Sequence, residues 1–273
     1  RPSPLPPPSA LEGQAAAVVD LEALFGSGCM LGEGSFSSVT RVVRRSDSKV
    51  VALKTTKSDD VEVIAIARRE YEILKQLDHP HIVKAFDFMA LSAYKVVLVM
   101  EYFDGAQLED VIRRTPEKCL DDAASRVLAR MLMSAVAYLH QRGIAHRDVN
   151  PKNVLMSNDA ADLRLIDFNV ASRYRDGLLT PTGNRFYAAP ELLRGGSPSQ
   201  ATDVWGVGLC LHLMLTGVSP KVTEDSCLLR RGKRWKPLPA ECRELLVQCL
   251  HSDEASRPLA EVASRSPWLV VED

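Results

Sequence analysis

The chain is 273 residues long, 46% hydrophobic and 25% charged, ordinary values for a globular protein with room for one large domain or two lobes. A formal net charge of −1 gives no global attraction for nucleic acid or an acidic membrane surface. The six cysteines are scattered with no C-x-x-C pair, so reduced thiols are expected rather than a zinc site or a disulfide framework. No apolar run reaches the roughly 18 residues that span a bilayer, and no signal-peptide pattern is present, so the expected location is cytoplasmic, with the nucleus as the alternative. The sequence starts at Arg1 rather than at Met and reads as a fragment or a processed form.

The first ten residues are rich in Pro and Ser, and residues 1–20 are expected to be a flexible tail. Its Pro4-Leu5-Pro6-Pro7 fits P-x-x-P, read as linker before docking motif. Short β-branched runs follow: Met30-Leu31, then residues 39–43 and 50–54, separated by Gly32-Glu33-Gly34 and Ser46-Asp47-Ser48. Their alternation predicts an antiparallel meander. Ile66, Glu70, Ile73, Leu74 and Leu77 fall at helical spacing, predicting a helix over residues 60–77 that His79-Pro80 stops. Two more strands are expected around residues 82–88 and 95–100.

After the connector at residues 101–105 the pattern turns mostly helical. Val127, Leu128, Met131, Leu132, Ala135, Val136 and Leu139 make one apolar face of a long helix over 123–141. Residues 203–215, 241–250 and 259–265 are further helical candidates. Between the helices over 123–141 and 203–215, the runs 154–156 and 163–166 flank the turn Ser157-Asn158-Asp159-Ala160-Ala161-Asp162 and read as a hairpin.

That hairpin would bring together two stretches of chemical interest. One runs from His146 through Arg147, Asp148, Val149, Asn150, Pro151 and Lys152 to Asn153, and the other is Asp167-Phe168-Asn169. Two aspartates and an asparagine at this spacing can converge on the metal ions of a nucleotide and on a hydroxyl nucleophile. Upstream, Gly32-Glu33-Gly34 lies between two predicted strands, where it reads either as a plain hairpin turn or as a loop whose backbone approaches a phosphate. Lys54 closes an apolar strand and reads equally as a solvated edge lysine or as a cation braced by Glu70 in the next helix.

Taken in order, the Gly-rich hairpin, Val51-Ala52-Leu53-Lys54, Glu70, the His146 to Asn153 stretch, Asp167-Phe168-Asn169, Ala189-Pro190-Glu191 and the Asp203-x-Trp205 helix follow the motif set of eukaryotic protein kinases. The chain resembles that family from Leu24 to Trp268. The resemblance implies an α+β, bilobal fold: a small β-rich N-lobe over residues 24–100 with one main helix, then a hinge and a larger, mostly helical C-lobe over 101–268, with a C-terminal tail at 269–273. It implies ATP and Mg²⁺ as cofactors and transfer of the γ-phosphate to Ser or Thr hydroxyls of a protein substrate. Tyr187-x-Ala-Pro-Glu and Pro151 look like the serine/threonine branch. No regulatory partner is named by the sequence.

By the same resemblance, Asp148 would orient the substrate hydroxyl and accept its proton, Asn153 and Asp167 would bind Mg²⁺, and Lys54, held by Glu70, would contact the α/β-phosphates. Nucleotide contacts would come from Leu31, Gly32, Gly34, Val39, Ala52, Met100 as gatekeeper, the backbone of Glu101 and Phe103, and Leu155. Glu191 and Arg257 are expected to form a buried ion pair, and Asp203 to brace the catalytic loop. Arg147 would receive a phosphate from Thr180 or Thr182, or these threonines are ordinary loop residues. The basic cluster Arg230, Arg231, Lys233, Arg234 and Lys236 around Trp235 reads as a solvated surface before a partner site.

Four positions depart from the pattern. Ser37 stands where a third glycine is often found, and Asn150 replaces the Lys two residues past the catalytic Asp. Lys152 is expected to supply that missing cation. Asn169 replaces the Gly of D-F-G, and its tolerance of positive φ is expected to preserve the loop geometry. Asn184 replaces a common Thr and is expected to hydrogen-bond Asp148. The alternative class is a pseudokinase, a nucleotide-binding or scaffolding module; a small-molecule kinase fits the Ala-Pro-Glu segment less well.

Overall fold

The computed structural model describes residues 20–173, 186–222, 227–228 and 234–270, and its chain divides into two compact units. The first comprises residues up to Ala67 together with Phe86–Tyr102; the second comprises Arg68–Ala85 and everything from Phe103 onward.

In the first unit a one-turn helix α1 (Leu21–Leu24), capped by the Asp20 carboxylate, leads into β1 (Cys29–Glu33), β2 (Ser37–Val43) and β3 (Val50–Lys57). Helix α2 (Val61–Leu74) follows, its residues up to Ala67 belonging to the first unit and those from Arg68 to the second, then come β4 (Ala85–Ser92) and β5 (Lys95–Glu101). The sheet order is β1-β2-β3-β5-β4, so the first three strands form the expected meander, β5 pairs with β3, and β4 lies at the edge. Period-two alternation sorts the strands into two faces. Val42, Val51, Leu53, Val97 and Val99 pack with Phe25 as the core of this unit. The registers Val39↔Lys54, Lys54↔Leu98 and Ala52↔Met100 put Val39, Ala52, Lys54 and Met100 together on the opposite face.

Several boundaries differ from the sequence reading. Gly32 and Glu33 are paired within β1, with a register irregularity between Met30 and Gly32, so the turn is pushed on to residues 34–36. Helix α2 stops at Leu74, three residues short of the expected end. Ile82–Lys84 do not join the sheet. Ile82 makes an isolated parallel bridge to Leu165, and the Val83 N–H donates to the Leu165 carbonyl (3.0 Å), so their apolar character serves the second unit.

From Phe103 onward the second unit runs through β6 (Gly105–Gln107) and α3 (Leu108–Arg114), which apolar periodicity does not separate from the connector. The long helix α4 (Asp122–Gln141) is capped where the Asp121 carboxylate accepts the Ala124 N–H at 2.7 Å, and it buries Leu128, Leu132, Met133, Val136 and Leu139. After β7 (Ile144–Ala145) come β8 (Val154–Ser157) and β9 (Leu163–Leu165), the expected hairpin, joined by β6 into a three-stranded sheet. Strand β10 (Ser172–Arg173) pairs with β7 and is followed by α5 (Pro190–Leu193).

Helix α6 (Gln200–Thr216) starts in a Ser199/Thr202 capping box and ends at Gly217 with φ 75°, a left-handed cap that glycine adopts freely. It is buried from Thr202 to Leu215 on every side, as an all-round apolar helix should be, and each large side chain there contributes roughly 1.5–3 kcal/mol. The short pair β11 (Lys221–Val222) and β12 (Cys227–Leu228) precedes α7 (Ala240–Cys249), α8 (Ala260–Ala263) and α9 (Pro267–Val270). The helix expected over residues 259–265 is the single turn α8 (Ala260–Ala263); Leu259 and Val262 are both 59% exposed. Leu269 is fully buried within α9. Among the described residues no helix is long and apolar enough to cross a membrane.

Candidate active site

The two stretches singled out in the sequence are tied together by the β8–β9 hairpin. Val154 pairs with Leu165, and just beyond it the Ile166 N–H donates to the Asn153 carbonyl (2.9 Å). This places Asn153 and Asp167 at adjoining ends of two paired strands. Asp167 has φ 64°, a left-handed conformation. The motif comparison expects that conformation at Asn169, yet Asn169 is not among the described residues with positive φ. The strained position is the acid itself, so substituting Gly by Asn at 169 carries no backbone cost here.

Asp148 sits at the centre of an amide cradle. Asn153 Nδ2 donates to the Asp148 carbonyl (2.9 Å) and to its Oδ2 (2.8 Å). Asn150 Nδ2 donates to the same carbonyl (3.1 Å) and to Oδ1 (2.9 Å), while its own Oδ1 accepts the Lys152 N–H (2.9 Å). Burial pushes the Asp148 carboxyl above its ordinary value; His146 and the two amides pull it down, and Asp167 adds to the rise. The departure at 150 is therefore turned inward, only 2% exposed, and contributes no outward cation.

The loop that carries Asp148 hangs from α6. Asp203, fully buried, accepts the backbone N–H of Arg147 at Oδ1 (2.7 Å) and of His146 at Oδ2 (2.9 Å), and His140 Nε2 also donates to Oδ2 (2.9 Å). The expected bracing role of Asp203 is thus realised, with His140 of α4 as a partner that helical periodicity alone did not mark. Gly206, one turn on, allows the approach: a Cβ there would stand 2.6 Å from the Val149 Cβ and overlap its carbonyl oxygen.

His146 and Phe168 belong to those two stretches, but residue spacing assigns no role to their side chains. The His146 ring stacks edge-on against Phe168 at 4.6 Å, and its Nε2 donates to the Ile166 carbonyl (3.0 Å), which fixes the start of the 167–169 turn. The Phe168 N–H donates to Glu70 Oε1 at 3.3 Å, and both residues are buried. Ala171 N–H closes the turn on the Phe168 carbonyl (3.1 Å). Their signal is present in the sequence, with Phe168 next to Asp167 and His146 two residues before Asp148.

Lys152 is half exposed, with Nζ 3.9 Å from Glu109 Oε2. Glu109, in the first turn of α3, also accepts the Tyr187 hydroxyl at 2.6 Å. Burial, and then the bond to Glu109, raises the Tyr187 phenol well above its ordinary value. Arg147 is buried, with Nη1 donating to Ser172 Oγ (3.2 Å). The expected Glu191–Arg257 pair is bidentate and buried, at 2.7 and 2.8 Å. Burial alone would raise the Glu191 carboxyl, but Arg257 outweighs it and holds it below the ordinary value.

Elsewhere in the second unit, Leu155 is half-buried in β8, and the Arg164 guanidinium lies over the Phe103 ring at 4.9 Å. Thr180, Thr182, Asn184, Arg230, Arg231 and Lys233 lie outside the described residues. Trp235 is buried, and Arg234 is committed to the Glu117 carbonyl (2.7 Å), its carboxylate (3.1 Å) and the Cys119 sulfur.

In the first unit, Lys54, Ala52, Val39 and Met100 share one sheet face as described, and Glu101 ends β5 opposite Val51. Leu31 is half exposed in β1. No atom lies within 4 Å of where a Cβ on Gly32 would stand, and at Gly34 the nearest is the Ser37 carbonyl at 3.6 Å. The chain's own packing does not require glycine at either position, which suits a backbone left open for a phosphate. In the second unit, Asn153 has its amide nitrogen engaged by Asp148, so its oxygen remains for a cation; with the Asp167 carboxylate this is an all-oxygen set that fits Mg²⁺.

An α+β chain with this loop, hairpin and buried Glu–Arg pair has the make-up of a phosphotransferase domain. A family model described as the protein kinase domain matches residues 25–269, and the chain belongs to that family. Maternal embryonic leucine zipper kinase of Danio rerio is 31% identical over 253 residues, covering 88% of this chain and 37% of the relative. Putative CBL-interacting protein kinase 27 of Oryza sativa subsp. japonica is 31% identical over 265 residues, covering 91% and 64%. Testis-specific serine/threonine-protein kinase 3 of Homo sapiens is 31% identical over 258 residues, covering 89% and 94%. The chain spans less than two thirds of the length of the first two of these relatives.

Proposed function

We propose that this chain is a serine/threonine protein kinase domain that transfers the γ-phosphate of ATP to a hydroxyl of a protein substrate. The observation that carries the reading is the Asp148 cradle: a carboxylate held by two amides, on a loop suspended from the buried Asp203. A base of this kind orients the substrate hydroxyl and takes its proton as the bond to phosphorus forms. Asn153 and Asp167 are the residues that would hold Mg²⁺, which when bound offsets charge on the phosphates. In the first unit Lys54 is assigned to the α/β-phosphates, Gly32 and Gly34 to backbone contacts with phosphate, and Ala52, Val39 and Met100 to the adenine; in the second unit Leu155 is assigned as a nucleotide contact. Lys152 is assigned the cation that Asn150 no longer provides, with Glu109 as its neighbour at 3.9 Å.

The serine/threonine assignment is supported by Pro151, by the Tyr187-x-Ala-Pro-Glu segment and by similarity to the testis-specific serine/threonine-protein kinase. Phosphoamino-acid analysis of a mixed protein substrate tests it: phosphoserine and phosphothreonine are expected, and phosphotyrosine alone would overturn it. The pseudokinase reading draws on Asn150, because a buried amide stands where the γ-phosphate cation usually projects. Thermal stabilisation by Mg²⁺-ATP without any phosphate transfer would favour that reading instead.

A further inference from the structure

Asn150 does two separable things. Its side-chain oxygen accepts the Lys152 N–H (2.9 Å), an Asx turn that shapes residues 150–152. Its side-chain nitrogen donates to Asp148, at the carbonyl (3.1 Å) and at Oδ1 (2.9 Å). The Asn153 amide takes the other carboxylate oxygen, Oδ2, at 2.8 Å. Each oxygen of Asp148 is thus fixed by a different amide, and rotation of the carboxylate about its Cβ–Cγ bond would break both bonds. One amide fixes a point; two fix a plane.

We propose that Asn150 is a positioning residue for Asp148: its amide nitrogen sets the orientation of the carboxylate that receives the substrate proton. The inference rests on the phosphotransfer reading of the site. At 2% exposure Asn150 does not reach a substrate, so its effect passes through Asp148. A lysine at this position would donate from a longer, flexible stem and could not accept the Lys152 N–H. The loop is therefore built around an internal amide, with the cation moved two residues along.

Two substitutions separate the two halves of the side chain. Asn150→Asp keeps the oxygen that caps the Lys152 N–H and removes the donor to Asp148; Asn150→Ala removes both. The account predicts that Asn150→Asp lowers kcat by about tenfold or more, at least as far as Asn150→Ala does, with KM for ATP and for a protein substrate within about twofold of wild type. Asn150→Asp with wild-type kcat, while Asn150→Ala is impaired, would assign the residue to the turn alone and overturn the proposal.

A second measurement does not depend on turnover. In ¹H–¹⁵N spectra the Asn150 side-chain amide, identified by its loss in Asn150→Asp, is expected to be protected from exchange and to lose that protection in Asp148→Ala. Protection unchanged in Asp148→Ala would also overturn the proposal. An inactive wild type whose Asn150 amide depends on Asp148 in this way would keep the pairing and reject the kinase reading. An active wild type indifferent to Asn150→Asp would do the reverse.

Discussion

The Asp203 carboxylate, fully buried in the first turns of α6, accepts the backbone N–H of Arg147 at 2.7 Å, one residue before the acid that would do the chemistry. With the His146 N–H at 2.9 Å on the other oxygen, one side chain determines where the catalytic loop begins. Replacing it by an amide turns an acceptor towards donors. Asp203→Asn is expected to cost roughly 1.5–3 kcal/mol for each charge-assisted bond lost and to lower kcat by about a hundredfold through misplacement of Asp148. Denaturant unfolding and steady-state turnover on the same preparation check the two effects together.

Gly206 makes that suspension close enough to work. Its added Cβ would overlap the Val149 carbonyl oxygen and lie 2.8 Å from the carbonyl carbon, both main-chain atoms of the loop. Since backbone cannot swing aside as a flexible side chain does, Gly206→Ala should displace the loop at the cost of about 1–3 kcal/mol. Turnover should fall with it, whereas Gly195→Ala should leave turnover near wild type, as no atom lies within 4 Å of a Cβ there, although its φ of 81° makes some loss of stability expected. Comparing both variants by thermal melting and activity tests the contrast.

Arg257→Ala would leave the Glu191 carboxylate buried without its bidentate partner, a loss of roughly 3–5 kcal/mol. The pH dependence follows from the depressed Glu191 carboxyl. An acid whose folded pKa lies below its unfolded value stabilises the fold above the unfolded value, and the contribution disappears as pH falls through the folded one. The gap in stability between wild type and Arg257→Ala should therefore be full at pH 7 and narrow below the ordinary glutamate value of 4.5. Urea midpoints for both proteins between neutral and acid pH measure it.

Lys152 is assigned the γ-phosphate charge, so Lys152→Ala is expected to reduce kcat by about tenfold, and Lys152→Arg to retain most of it. Its Glu109 neighbour at 3.9 Å is partly exposed and screened, so stability should change by well under about 1 kcal/mol. A Lys152→Ala protein with full activity would remove the assignment.

Much of this architecture was legible from residue spacing. Period-two runs marked the β2, β3 and β5 strands, and the turn residues 157–162 marked the β8–β9 hairpin that joins Asn153 to Asp167. Ile82 misled because burial, not strand pairing in the main sheet, explains its apolar side chain: it bridges to Leu165. Residues 259–265 misled for the opposite reason, since Leu259 and Val262 keep the spacing of a helix but face outward. Asn169 shows a further limit. Residue type suggested where a left-handed backbone was needed, yet the fold spends that conformation on Asp167. The inward turn of Asn150 was not legible at all, because an asparagine's identity does not say which of its neighbours it will bond.

Phosphate transfer from Mg²⁺-[γ-³²P]ATP to a generic protein substrate, compared between wild type and Asp148→Asn at matched folded fraction, decides whether Asp148 is the base of a phosphotransfer site. Incorporation by the wild type is expected, with a loss of about a hundredfold or more in the variant. Equal incorporation by the two proteins would contradict it.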